Sequence, residues 1–261
     1  MRMLSEKINM IKSAKLKDNI VKVIQLSDTH LFADDDADIF GAKSNIKFKE
    51  VVEKILDEDS HDADIIFLTG DVSQDETDQS YQKVIDIFSK LTIPVYWIPG
   101  NHDNFERMKV VFKDAKNFFQ ARHLTLPGWN LIFLNTKDGY LPDSELALLK
   151  NTIATLAGDA NIAIVMHHHP AEVGTPLVDH YILQNRNEFW DIITGTQVKL
   201  IICGHVHGDY KFKYRDVMIE STPATCLQWQ QGTKDLKIDS KIGFKIYYFT
   251  PADYTAIAKL W

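Results

Sequence analysis

Short continuous apolar runs alternate along this chain with longer stretches in which apolar residues recur at helical spacing. Val21, Val23, Ile24 and Leu26 predict a buried strand, and Val51, Val52, Ile55 and Leu56 predict a helix over 45–58. Ile65 to Leu68 reads as the next strand, and Tyr81, Val84, Ile85 and Phe88 as the next helix. Two more strands are predicted at Pro94–Ile98 and Asn130–Asn135. Leu146, Leu149, Ile153 and Leu156 mark a helix, with Asp143 or Ser144 as its N-cap. Strand signals at Ile162–Met166 and Leu200–Cys203 flank a helical stretch over 181–194. After residue 210 helical signals fade, and Val217–Ile219 and Ile242–Phe249 read as strands. Alternating strands and helices predict an α/β layered domain, and the β-rich last quarter predicts a second sheet packed on the first. No linker rich in Pro, Gly or Ser interrupts the pattern. The organisation expected is therefore a leader over 1–18 and a single domain over 19–261.

Composition narrows the function classes. With 261 residues and 45% apolar content the chain can bury a sizeable core. A net charge of −7 argues against nucleic acid as the partner, because binding a phosphate backbone needs a basic face. A small anionic substrate remains compatible, since bound metal ions reverse the local sign. Two cysteines, Cys203 and Cys226, make neither a disulfide framework nor a thiolate zinc site and fit a cytoplasmic setting. No apolar run approaches the roughly 20 residues that span a bilayer, and the leader lacks a continuous apolar core. Asp34, Asp35, Asp36 and Asp38 read as a solvated acidic loop, because Ile39 stands where a calcium loop needs Gly.

The chemistry lies in five short runs: Asp28-Thr29-His30, Gly70-Asp71, Gly100-Asn101-His102-Asp103, His167-His168-His169-Pro170 and Gly204-His205-Val206-His207. Seven of the ten histidines fall inside them. Each run follows an apolar, strand-like stretch, so all five can end on one sheet edge and build a site for two metal ions. Imidazole, carboxylate and Asn oxygen are hard or borderline ligands and suit Mn, Fe or Zn. Two such ions acidify a bridging water and clamp phosphoryl oxygens in an in-line displacement.

In this order the five runs resemble the calcineurin-like metallophosphoesterases, over residues 20 to 230. That resemblance implies a four-layer αββα sandwich of two mixed sheets flanked by helices, with a dinuclear metal site at one sheet edge. It implies that Asp28, His30, Asp71 and His207 hold one ion and that Asp71, Asn101, His168 and His205 hold the other, with Asp71 bridging. His168 is selected within its triplet because the family's ligand stands two residues before a proline; His167 then packs behind the site and His169 faces substrate. His102 is not a ligand but lies beside the leaving-group oxygen, with Asp75 as the carboxylate that orients it. Asn101, His102, His169 and His207 would contact substrate. Asn135-Thr136 stands where such proteins often carry Asp-Ser.

Leu26 to Phe32, the triple histidine and Ser221 to Cys226 further resemble bacterial class III cyclic nucleotide phosphodiesterases. The activity this implies is hydrolysis of 3′,5′-cyclic AMP to 5′-AMP by a metal-bridging hydroxide. Alternatives on the same fold are a broad phosphodiesterase such as a glycerophosphodiesterase, and a nucleotide-sugar lipid pyrophosphatase, which usually carries Arg in place of His102. A non-catalytic scaffold would have lost ligands that this chain keeps. The expected partner is a small phosphodiester, without nucleic acid or membrane, and the β-rich C-terminal part leaves room for a homodimer.

Overall fold

The computed structural model describes residues 19–59, 63–89, 91–120, 122–156, 158 and 160–261; the expected leader lies outside them. In chain order the elements begin with β1 (Val21–Leu26), α1 (Ser44–Lys54, prolonged by a π-helical turn Ile55–Asp59), β2 (Ile65–Thr69), α2 (Asp78–Phe88), β3 (Val95–Ile98) and α3 (Phe105–Phe112). They continue with β4 (Phe118–Phe119), β5 (His123–Leu126), β6 (Trp129–Phe133), α4 (Asp143–Thr155), β7 (Asn161–Val165), α5 (Pro176–Asp179), α6 (Arg186–Ile193) and β8 (Val198–Cys203). The C-terminal quarter holds β9 (Lys211–Tyr214), β10 (Val217–Ser221), β11 (Gln228–Trp229), β12 (Ile238–Asp239), β13 (Gly243–Phe249) and β14 (Tyr254–Leu260).

Two six-stranded mixed sheets result, ordered β14-β13-β1-β2-β3-β4 and β5-β6-β7-β8-β10-β9. β1 to β4 run parallel to one another, as do β6, β7, β8 and β10. Side-chain alternation fixes the layers. Val21, Val23, Ile65, Phe67, Tyr96 and Ile98 face Leu131, Phe133, Ala163, Val165, Leu200 and Ile202 between the sheets. The opposite faces of β1 to β3 carry Ile24, Leu26, Ile66, Leu68, Val95 and Trp97 onto α1, α2 and α3. Ile132, Ile162, Ile164 and Ile201 meet Leu149, Phe189, Trp190 and Ile193 of α4 and α6 on the far side. This is the αββα sandwich expected, and its central strands β1, β2, β3 and β6 are buried on both faces because both faces are covered.

Departures from the sequence reading are local. Helix α4 starts at Asp143, with Pro142 rather than the expected Asp143 or Ser144 in the N-cap position and no side-chain cap. The stretch 181–194 is helical only from Arg186, since Leu183 and Leu141 tie residues 181–185 into turns through Leu183 N to His169 O and Leu141 N to Asn185 Oδ1. β14 was unanticipated: its alternate residues are exposed on a sheet edge, so it lacks a strong apolar signature. Thr77 caps α2, its hydroxyl accepting from Ser80 N at 3.1 Å. Thr77→Ala is expected to lower stability by about 1 kcal/mol, read as a reduced urea midpoint at unchanged m.

Candidate metal centre

The loops that follow β1, β2, β3, β7 and β8 meet at one rim of the sandwich. Their backbone is unusual. Asp28, His30, Asp71, His205 and His207 all occupy the left-handed region, with φ of 55°, 45°, 50°, 70° and 42°. None is glycine, and such conformations cost on the order of 1–3 kcal/mol each, so the surrounding packing must hold them. Two glycines allow that packing. A Cβ on Gly70 would lie 2.5 Å from His167 Nδ1 and 2.7 Å from Gly100 N, and one on Gly100 would fall onto the Asp71 backbone and carboxylate. The glycine that opens each motif is thus required by close approach of neighbouring loops.

The imidazoles are aimed from behind. His30 Nδ1 lies 2.7 Å from Gln74 Oε1, His207 Nδ1 3.0 Å from Leu227 O, and His167 Nδ1 2.7 Å from Thr69 O. Carbonyl oxygens only accept, so each Nδ1 donates and each Nε2 points inward, the arrangement that orients metal-binding histidines. Inside, His30 Nε2 is 3.2 Å from His207 Nε2 and 3.7 Å from Asp71 Oδ2. His207 Nε2 is 3.5 Å from Asp28 Oδ1, and His167 Nε2 is 3.3 Å from Asp71 Oδ2. Asp28 accepts from His205 N at 3.1 Å through both oxygens, and Asp71 Oδ1 accepts from His102 N at 2.8 Å. Donor atoms of His30, Asp71 and His102, and those of Asp71, His167 and His205, lie within 4.8 Å of one another. Asp71 belongs to both groups.

Electrostatics divide the imidazoles into one protonated ring and several neutral ones. Burial by itself would raise the Asp71 carboxyl, but His167 and His30 beside it hold it well below the usual carboxylate range. Burial would likewise lower His167, yet the Asp71 carboxylate draws a proton onto it and lifts its pKa to about 9. His30 and His207 are pushed down to about 4, chiefly by burial, and burial drives His168 and His205 well below the usual imidazole range. Neutral imidazoles are the form that ligates metal. Without ions the protonated His167, 3.3 Å from Asp71, supplies the positive charge beside that carboxylate, the charge a bound cation would bring instead. These residues therefore fit a pair of divalent ions.

Most of the expected site residues converge here, but His167, His169 and Asp75 are placed differently from the sequence reading. His167, which was expected behind the site, stands beside Asp71. His168, expected as the ligand, has its Nδ1 3.0 Å from Thr136 Oγ1, which also accepts its backbone N–H at 3.1 Å, and its ring lies 4.4 Å from that of His205. His169 is completely buried instead of facing substrate, its ring stacked on His205 and its Nε2 3.5 Å from Asp179 Oδ1. Asp75 does not orient His102. Its carboxylate accepts from Ala33 N, Thr77 N and the Ser73 and Thr77 hydroxyls, which makes it the cap of the 73–77 turn. The carboxylate that does position this region is Asp103, which the sequence reading left without a role. It accepts from Gly100 N (2.9 Å), Val72 N (3.0 Å) and Ser73 N (3.0 Å), clasping the loop of Asp71 to that of His102. Burial, and then Asp71, push its pKa up to about 7. Asn101 is exposed at the loop tip and His102 half-buried, with its ring edge-on to His30 at 5.0 Å.

A two-sheet α/β sandwich carrying this histidine and aspartate cluster at its rim defines a metal-dependent phosphoesterase. The calcineurin-like phosphoesterase pattern matches residues 21–209, and the chain belongs to that family. It is similar to a probable cyclic nucleotide phosphodiesterase of Coxiella burnetii, at 35% identity over 89% of this chain and 94% of the relative. Similarity also extends to the 3′,5′-cyclic adenosine monophosphate phosphodiesterase CpdA of Vibrio vulnificus, at 32% identity over 87% of this chain and 85% of that one. Among solved structures, a dimetal phosphatase from Danio rerio shares the fold, with a TM-score of 0.62 at 9% identity over 91% of this chain and 98% of that one. No helix among the described residues is long and apolar enough to cross a membrane.

Proposed function

We propose that this chain is a metal-dependent phosphodiesterase that hydrolyses 3′,5′-cyclic AMP to 5′-AMP. The observation that carries the reading is the Asp71 carboxylate, shared by two clusters of inward-facing donors. Similar proteins named as cyclic AMP phosphodiesterases support the choice of substrate. One ion would be held by Asp28, His30, Asp71 and His207, the other by Asp71, Asn101, His167 and His205. When bound, such ions supply an acidified water and charge neutralisation for the phosphoryl oxygens. Manganese, iron or zinc suits this mixed nitrogen and oxygen set.

The chain's own groups do the remaining work. Asp71 Oδ1 fixes the main chain of His102, which sets that imidazole at the mouth of the site, where it can give a proton to the departing 3′ oxygen. Gln74, Leu227 and Thr69 keep the ligand rings from rotating. The unpaired, buried Cys203 and Cys226 support a reducing, cytoplasmic setting.

Placing His167 in the ligand set has a measurable consequence. His167→Ala is expected to leave about one ion per chain after dialysis, whereas His168→Ala retains two, because His167 and not His168 shares a donor group with Asp71 and His205. Metal analysis of the two variants side by side decides between them. For the substrate, rates for cyclic AMP, cyclic GMP, 2′,3′-cyclic AMP and glycerophosphodiesters at matched metal loading are the direct measurement. Cyclic AMP should give the highest kcat/KM; a glycerophosphodiester turned over faster would overturn the assignment.

A further inference from the structure

The metal cluster accounts for phosphate but leaves unexplained an aromatic pair at its rim. Trp229, in β11, stacks its ring on the His207 ring with centroids 5.0 Å apart and planes at 28°. Phe40 meets the same indole edge-on at 5.7 Å. Phe40 is 56% exposed, one of the most solvent-accessible large apolar side chains among the described residues. Its backbone is stranger than its exposure. Ile39 and Ala42 exchange both of their main-chain hydrogen bonds, at 3.0 and 2.9 Å, so Phe40-Gly41 is a two-residue hairpin turn. Both turn residues have positive φ, 51° at Phe40 and 81° at Gly41. Such a turn strongly prefers Asn, Asp or Gly in its first position, and a bulky aromatic there is strained and, so exposed, gains little from burial. Strain and exposure at one residue beside a catalytic rim are the marks of a residue kept for binding.

The support beneath the pair is rigid. Trp229 N donates to His207 O at 3.1 Å, so the indole moves with the ligand loop. Ala42, Ala224, Cys226 and Leu227 form a small apolar cluster of their own, onto which Ile39 and Trp229 pack. Asn45 anchors the root of the Phe40 loop, accepting from Phe32 N and donating to the Phe32 and Asp34 carbonyls.

We infer that Phe40 and Trp229 form the nucleobase platform of the site, on which the purine of a cyclic or linear nucleotide stacks while its phosphate lies at the metal cluster. The inference deepens the phosphodiesterase reading and takes from it the choice of a nucleotide. A ring face reads the face of a base and not its edge, so the platform selects purine nucleotides over phosphodiesters that lack a base. The competing location is the opposite flank, where Tyr181 is 60% exposed with its ring 6.5 Å from that of His205.

Phe40→Asn is the test, because Asn suits the turn and removes the ring. In manganese-loaded protein, inhibition of bis(p-nitrophenyl) phosphate hydrolysis by 5′-AMP should weaken roughly tenfold, the scale of one lost base stack. Inhibition by inorganic phosphate should stay within about twofold on the same scale. The melting temperature should rise as the turn relaxes, an outcome that a merely structural Phe40 would reverse. KM for cyclic AMP should rise with the 5′-AMP inhibition constant while kcat holds. If both inhibitors shift together, if neither shifts, or if Tyr181→Ala and not Phe40→Asn weakens 5′-AMP, the platform is not at Phe40. Because 5′-AMP and phosphate report on binding, these outcomes stand even if wild-type protein leaves cyclic AMP uncleaved, which would sink the substrate assignment alone.

Discussion

Asp71→Ala will remove metal binding and phosphodiesterase activity together. The Asp71 carboxylate sits 3.3 Å from His167 Nε2 and 3.7 Å from His30 Nε2, and it accepts from His102 N at 2.8 Å. Taking it away therefore strips a shared oxygen from both donor groups and frees the main chain that carries His102. It also removes the charge that compensates two ions in a buried pocket, which neutral imidazoles cannot replace. Metal analysis should find less than one ion per chain after dialysis. Turnover should fall by more than the roughly 10³-fold lost with a single oxyanion donor. Asp71→Asn, which keeps the shape and one oxygen but loses the charge, should recover little of either quantity. Two tightly held ions in the alanine variant would show that Asp71 bridges nothing. Circular dichroism separates this from misfolding, since Asp103 still clasps the same loop through Val72 and Ser73.

The same centre shows what sequence patterns encode. The order of the five motifs was readable because each glycine, aspartate or histidine is fixed by a local demand: a close loop approach at Gly70 and Gly100, a donor atom at Asp28 or His30. The sandwich was readable for a similar reason, since β2 and β7 are buried on both faces and read as nearly continuous apolar runs, and β1 and β8 are broken only by single polar residues. The exposed edge strand β14 was not, and neither was α3, which has few buried positions. The choice within the histidine triplet hung on which signal was followed. Spacing to Pro170 selected His168. Strand parity selects His167, because Ala163 and Val165 face the inter-sheet layer while Ile162, Ile164 and Met166 face the helices. Continuing that alternation carries residue 167 inward, toward Asp71. Asp75 was expected to orient His102 and instead caps the 73–77 turn, while Asp103 clasps the loops of Asp71 and His102, because only folding decides which backbone N–H groups each carboxylate meets.

Removing the His102 imidazole should separate binding from chemistry. The group that anchors residue 102 is its main-chain N–H, donating to Asp71 Oδ1, and His102→Ala keeps that bond. The ring itself contacts the cluster edge-on at His30, 5.0 Å away, while the ligand rings are held by Gln74, Leu227 and Thr69. Metal content should therefore stay near two ions per chain while turnover of cyclic AMP drops by about 10²–10⁴-fold, the usual worth of a general acid. The leaving group gives the sharper criterion. The 3′ oxygen of a ribose is a poor leaving group that needs its proton, whereas p-nitrophenolate departs without one. The variant should consequently lose far more activity toward cyclic AMP than toward bis(p-nitrophenyl) phosphate. Equal losses on the two substrates would mean that the imidazole stabilises the phosphoryl group itself, and unchanged turnover on both would remove His102 from the reaction.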